Sequence, residues 1–438
     1  MKQNWAIACA APLCLLLTGC PLTDHYRLQE DQLGSAGSDS NAGVGGGPAN
    51  GSAGAGAGSS AASCSKACNA GRVCVADACS EGWVSMAAPP GSLVARSKAT
   101  SVAMGKAVFI WGGLDSAGAA LDNGAIYNPK TDTWKYLPKD AGSPSPRIMA
   151  TAVWTGSASN QVIVYGGTDA SGGMVFRDGA IYDVAGNSWA PLPPNPMTSK
   201  RSAAYGYWDG TRAVFFGGLN AVPAVVPGAD RFDLKAWSIS TTKGDPGLLG
   251  FSAIAVDGSM MYVQGGVING ARQDKVLAYT SSTDEWATLT TGPSARTGAF
   301  GAWDGTQFLV WGGEDDVGLL ADGQTMSGTR WSEMSEPSVL SARRIAFRRS
   351  GWAFSLQPGV VALIGGQTSL SGSSDPLATD GASYDVERGE WTAIRSWPSL
   401  ESHEYGVGVW TGEEFVIWGG RTQNVATLTG ERWAPRAP

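Results

Sequence analysis

The apolar positions of this chain fall in short runs, and from Trp83 onward the runs repeat. Seven times an apolar run closes on a double glycine, as in AVFIWGG, QVIVYGG, RAVFFGG, MMYVQGG, FLVWGG, VVALIGG and EFVIWGG. The doublets begin at Gly112, Gly166, Gly217, Gly265, Gly312, Gly365 and Gly419, at intervals of 54, 51, 48, 47, 53 and 54 residues. Runs this short, rich in Val, Ile, Phe and Trp and bounded by glycine, predict strands rather than helices. A second apolar run precedes several doublets across a tight turn, as at Trp208-Asp209-Gly210-Thr211 and Trp303-Asp304-Gly305-Thr306. Asp-Gly between apolar runs is a strong hairpin signal. Beyond each doublet a polar loop leads to an aromatic residue and then a tryptophan. Tyr127–Trp134, Tyr182–Trp189, Tyr279–Trp286 and Tyr384–Trp391 share one spacing, Phe232–Trp237 is shorter, and Trp331 and Trp433 lack the aromatic partner. Each unit therefore predicts four strands.

The double glycine, the Tyr-(Asp/Asn)-x-x-x-x-x-Trp run and the period of roughly 50 residues resemble kelch repeats. That resemblance implies an all-β, seven-bladed kelch-type β-propeller over residues 81–438, the fold that galactose oxidase shares with the animal kelch adaptors. Physical reasoning agrees, because a ring of four-stranded sheets leaves only short, protected edges. Trp83 lies in phase with the outer-strand tryptophans, so the strand around it is expected to complete the seventh blade outside the C-terminal strands. The phased tryptophans and tyrosines read as packing residues.

The front of the chain carries a different pattern. Lys2 followed by an apolar run from Trp5 to Leu17 reads as a signal peptide over residues 1–19. Leu17-Thr18-Gly19-Cys20 resembles a bacterial lipobox, which implies acylation at Cys20 and a lipid-anchored envelope protein, with the outer membrane or cell surface favoured. Residues 20–63 read as a tether: from Gly34 to Ser63 the chain is almost wholly Gly, Ala and Ser and cannot build a core. Cys64, Cys68, Cys74 and Cys79 then predict a small module over residues 64–80 held by two disulfides, with a four-thiolate zinc site as the alternative.

Composition narrows the chemistry. A formal charge of −7 disfavours nucleic acid as a partner, and two histidines leave few routes to transition-metal sites or Ser-His-Asp catalysis. The copper site of galactose oxidase needs two histidines and a Cys–Tyr crosslink; the repeat region has one histidine, His403, and no cysteine. No calcium loop, P-loop or nucleophile elbow occurs, so no metal, cofactor or catalytic residue is assigned. Loop acids such as Glu314, Asp315 and Asp316 read as solvated.

One column of the repeat concentrates charge. Sixteen residues before each doublet stand Arg96, Arg201, Leu249, Arg296, Arg349 and His403, and Arg147 joins them if an inserted turn is allowed for. In kelch adaptors the arginine before the inner strand helps bind acidic peptides, and the resemblance implies a cationic ring at one mouth of the channel. Arginine suits carboxylate or phosphate recognition. The competing role is internal, each side chain bonding backbone carbonyls or an acid. The expected function is a monomeric, non-catalytic envelope binding or scaffold protein that recognises an anionic glycan, peptide or protein partner. The alternative is a carbohydrate-active enzyme, similar to a sialic-acid isomerase, that uses loop carboxylates. A deep axial pocket with two or more converging acids would favour the enzyme; a shallow, wide face would favour the scaffold.

Overall fold

The computed structural model describes residues 73–75, 78–80 and 82–435, apart from 81, 197–199, 221–225, 240–251, 259, 269–270, 338–347, 349–350, 369–377, 400–402 and 423–424. Seven four-stranded antiparallel sheets follow one another along the chain. Blade one is Thr100–Met104, Ala107–Trp111, Gly124–Asn128 and Thr133–Tyr136. Its first strand is innermost and its last outermost. The inner strands of blades two to six are Thr151–Trp154, Tyr205–Trp208, Ala253–Asp257, Phe300–Trp303 and Trp352–Gln357.

Blade seven is closed by both ends of the chain. Val407–Trp410, Phe415–Trp418 and Gly430–Ala434 supply three strands, and Gly82–Ser85 pairs outside them with Trp83 opposite Trp433. The tryptophan phase had placed this strand correctly. Pairing an N-terminal strand with C-terminal strands ties the ring shut, so neither end of the blade is left as a bare edge.

The core lies between blades. Phe109 and Trp111 of blade one pack with Val162, Val164, Tyr182 and Trp189 of blade two, and equivalent clusters recur around the ring. The outer-strand tryptophan also latches five of the blades to the one before, the exceptions being Trp286 and Trp331, whose Nε1 atoms are buried with no partner among the described residues. Trp134 Nε1 donates to the Ala87 carbonyl at 2.9 Å, Trp189 to Pro138 at 3.0 Å, Trp237 to Pro193 at 2.8 Å and Trp391 to Ser335 at 2.8 Å. Trp83 closes this set on Arg395 at 2.7 Å. The phenols of Tyr127, Tyr182 and Tyr279 bond the side chain five residues on, at Asp132, Asn187 and Asp284. Those three residues have positive φ, so the tyrosine pins the turn that returns the chain to its tryptophan.

The N-terminal expectations are corrected here. The propeller stands, but no disulfide is formed among the described residues, and the stapled module is not what the structure holds. Cys74 and Cys79 are facing partners in a hairpin of Val73–Val75 with Ala78–Ser80. A backbone ladder pairs the two strands of that hairpin; close cysteine spacing permits a bridge but does not require one. Cys64 and Cys68 lie outside the described residues, as do the signal peptide, the acylation site Cys20 and the tether. The structure therefore supports neither a lipoprotein nor a membrane anchor. No helix among the described residues is long and apolar enough to cross a membrane.

Candidate functional site

The arginine column occupies equivalent places at one end of the channel, but its guanidinium groups turn into the blades. Arg96 Nη1 donates to the Gly112 carbonyl at 3.0 Å, Arg147 to Gly166 at 3.0 Å, Arg201 to Gly217 at 2.7 Å and Arg296 to Gly312 at 3.0 Å. Each acceptor is the first glycine of that repeat's own doublet. The remaining donors meet Asn123, Asp178, Asp230 and Asp322. His403 completes the pattern in blade seven, with Nδ1 at 2.6 Å from the Gly419 carbonyl and Nε2 at 2.8 Å from Glu431. All five of these side chains are buried. Burial lowers the Arg96 guanidinium to about 10, against the opposing charges of Tyr136 and Asp115, which leaves it protonated at neutral pH.

In blade six the slot belongs to Arg348, which donates to the Gly365 and Asp380 carbonyls at 3.1 and 3.0 Å and pairs with the Asp380 carboxylate. Arg349, selected by counting, lies outside the described residues. The register shift between Ser355 and Gln357 accounts for the difference: it adds one residue between arginine and doublet. Leu249 also lies outside the described residues, and the Gly265 carbonyl it leaves accepts from Ser252 Oγ at 3.2 Å.

The backbone completes a clasp. In five of the doublets the second glycine donates to the carbonyl of the next repeat's arginine: Gly113 to Arg147, Gly167 to Arg201, Gly266 to Arg296, Gly313 to Arg348 and Gly420 to Arg96. The first glycine packs against that same carbonyl. A Cβ on Gly166, at φ +70°, would lie 2.2 Å from the Arg201 oxygen. The doublet is glycine because the turn is left-handed and the neighbouring backbone leaves no room.

What the clasp surrounds is a cavity of about 480 Å³ on the propeller axis, lined by residues from all seven blades. Most lining residues are small or expose backbone. Lys98 and Glu404 are the charged ones among the described residues, and Gln367, Tyr405, Tyr205 and Ser252 add polar groups. The Lys98 ammonium lies 4.8 Å from the centre of the Tyr405 ring, and the Arg421 guanidinium 4.5 Å from it. Arg421 Nη2 is 3.8 Å from Glu404 Oε2. Gln367 is buried, and its Oε1 has no hydrogen-bond partner within the protein. A buried acceptor left open in a cavity wall is suited to a ligand donor.

Among the described residues, none of Arg96, Arg147, Arg201 and Arg296 lines this cavity, whereas Lys98, Gln367, Glu404 and Tyr405 do. These residues carry no motif. Lys98 and Tyr405 stand two positions beyond the arginine column, which is the one signal that could have found them.

A kelch motif is matched over residues 95–140. No curated protein matches the chain. Among solved structures, one titled "Structure of YjhT" is similar with a TM-score of 0.49 and 18% identity, over 71% of this chain and 99% of that one. The expectation that the chain is not an enzyme is corrected at this point. It anticipated a shallow, wide face, and the structure instead has an axial cavity lined by all seven blades, although its described lining holds one carboxylate, Glu404, where two converging acids were to mark an enzyme. Among the described residues no group of three or more His, Cys, Asp or Glu side chains is placed to hold a metal ion, and copper-radical chemistry stays excluded by residue type. Seven four-stranded sheets, each with its Gly-Gly doublet, and a kelch motif matched in the first of them identify the fold as a kelch-type seven-bladed β-propeller.

Proposed function

We propose that the protein binds a small carbohydrate in the axial cavity and acts on it by acid–base chemistry. The observation that carries this reading is the cavity itself: about 480 Å³, enough for one or two sugar rings, with a single carboxylate, Glu404, in its described lining. Isomerisation at a sugar carbon needs only proton transfer, for which one positioned carboxylate and a neighbouring donor suffice. Glu404 is the acid–base candidate; Lys98, Gln367 and Tyr405 would orient the ligand.

The test is calorimetric titration with glucose, N-acetylglucosamine, glucuronate and N-acetylneuraminate, followed by NMR measurement of isomer exchange for any sugar that binds. Glu404→Gln should keep binding within a few-fold and lower the exchange rate roughly 100-fold or more. No binding across the panel, or an unchanged rate in Glu404→Gln, would contradict the reading.

A second reading, recognition of a partner protein on the same face, is favoured by exposed Met174, Val317 and Val425 on the loops that follow the doublets. Lipid anchoring through Cys20 at the cell envelope rests on the N-terminal sequence alone. Release of a Cys20→Ser variant from the membrane fraction would test it.

A further inference from the structure

Around the cavity, one backbone position adopts the left-handed conformation in blade after blade. It is the residue two beyond the arginine slot: Lys98 at φ +57°, Met149 at +53°, Ala203 at +49°, Gly298 at +64° and Tyr405 at +57°. The equivalent residues 251 and 350 lie outside the described segments. These turns also join blades across the axis. Lys98 N–H donates to the Tyr405 carbonyl at 2.8 Å, Met149 to Lys98 at 3.0 Å and Ala203 to Met149 at 2.8 Å. The fold therefore demands the conformation, whatever side chain stands there.

Glycine takes this backbone at no steric cost, and the chain uses it once, at Gly298. Elsewhere it keeps lysine, methionine, alanine and tyrosine in a region that L side chains rarely adopt. Lys98, Met149, Ala203 and Tyr405 all line the cavity. Strained backbone retained where a strain-free residue would fit the same hydrogen bonds points to use of the side chain.

We propose that this column is the specificity ring of the cavity, with Lys98, Met149 and Tyr405 the residues that choose the ligand. The inference rests on the cavity being the ligand site. The ring is asymmetric: Lys98 and Tyr405, with Arg421 beside them, make a charged and aromatic pole on blades one and seven, while Met149 and Ala203 make an apolar pole on blades two and three. It fits a ring compound with oxygen substituents on one side and C–H surface on the other. Lys98 bonds the oxygens, and Met149 covers the C–H face.

The experiment compares Lys98→Gly, Met149→Gly and Tyr405→Gly, with Lys98→Asn as a second Lys98 variant because asparagine also tolerates this backbone. Melting is measured on the free proteins, and calorimetry uses the tightest sugar of the panel above. Relief of strain offsets only part of the lost burial of Met149 and Tyr405, so Tm should fall by a few degrees in the glycine variants and least in Lys98→Asn. Binding should weaken at least tenfold for the Lys98 and Tyr405 variants. Variants that bind like wild type would overturn the proposal while leaving the cavity as the site. Binding losses that merely scale with the fall in Tm across the four variants would overturn it too, since the side chains would then be packing residues. Failure of wild type to bind any sugar would instead remove the carbohydrate reading on which the ring depends.

Discussion

Replacing Arg296 with methionine separates a clasp from a ligand ring. Arg296 is 1% exposed, and its guanidinium bonds the Gly312 carbonyl at 3.0 Å, Asp322 Oδ2 at 2.8 Å and Ser294 Oγ at 2.9 Å. Methionine fills most of the volume but supplies no donor, so the buried Gly312 carbonyl loses its partner. Asp322 is half exposed and can rehydrate, which keeps the penalty below that of a fully buried pair. Breaking a buried charge pair from one side costs about 3–5 kcal/mol, and the lower half of that range applies here. At roughly 2.1 cal/mol/K of unfolding entropy per residue, over about 350 residues, the fall in Tm is about 4–6 °C. Asp322→Asn, at the exposed end, should cost no more than about 1 kcal/mol. The assay is thermal unfolding followed by tryptophan fluorescence, paired with sugar titration. Arg296→Met should melt lower and bind normally. A variant that melts within a degree of wild type, or that loses binding at unchanged Tm, would refute the clasp.

Three further outcomes follow from the same geometry. Gly166→Ala, whose Cβ would meet the Arg201 carbonyl oxygen at 2.2 Å, should lose far more stability than Gly172→Ala, which has the same backbone sign but open space and costs only about 1–2 kcal/mol of strain; paired melting curves compare them. Trp83→Ala removes the bond to Arg395 and the edge contact with Trp397 at 5.3 Å, and should cost about 3 kcal/mol in urea unfolding without altering the other blades' exchange protection first. Burial, with Asp183 nearby, raises the Tyr182 phenol from 10.0 to about 12, and burial raises Tyr127, Tyr165 and Tyr207 as well. The unfolded chain therefore releases these protons first, and stability should decline as pH rises above about 10, with tyrosinate absorbance appearing together with unfolding rather than before it.

Much of this fold is legible in the sequence because its joints demand particular residues. The doublets mark where a left-handed turn meets a neighbouring carbonyl, and the tryptophans mark where an indole reaches the previous blade. The same phase argument placed the strand around Trp83 outside the C-terminal strands, where it pairs with Gly430–Ala434. Phase says less about direction. Arginines at equivalent positions do gather around one axis, but whether a side chain turns inward to solvent or outward to a carbonyl depends on the backbone acceptor beside it. Each doublet carbonyl supplies that acceptor. Counting failed at Arg349 because the bulge near Ser355 inserts a residue, which strand composition does not announce. Lys98, Gln367 and Glu404 were invisible for another reason. None of the three residue types repeats at its equivalent positions in other blades, and only closure of the ring brings residues from blades one, six and seven to a common cavity. The N-terminal cysteines show the reverse case, a pattern plain in sequence of which the structure describes only a backbone hairpin with Cys74 opposite Cys79.

The most direct test of the axial cavity as the functional site is a crystal structure of the protein with the tightest sugar from the panel. The ligand should lie on the propeller axis within hydrogen-bond distance of Gln367 and Glu404, with Lys98 and Tyr405 against it. Density for the sugar on the outer loops or the opposite face, with the axis occupied only by solvent, would contradict the account.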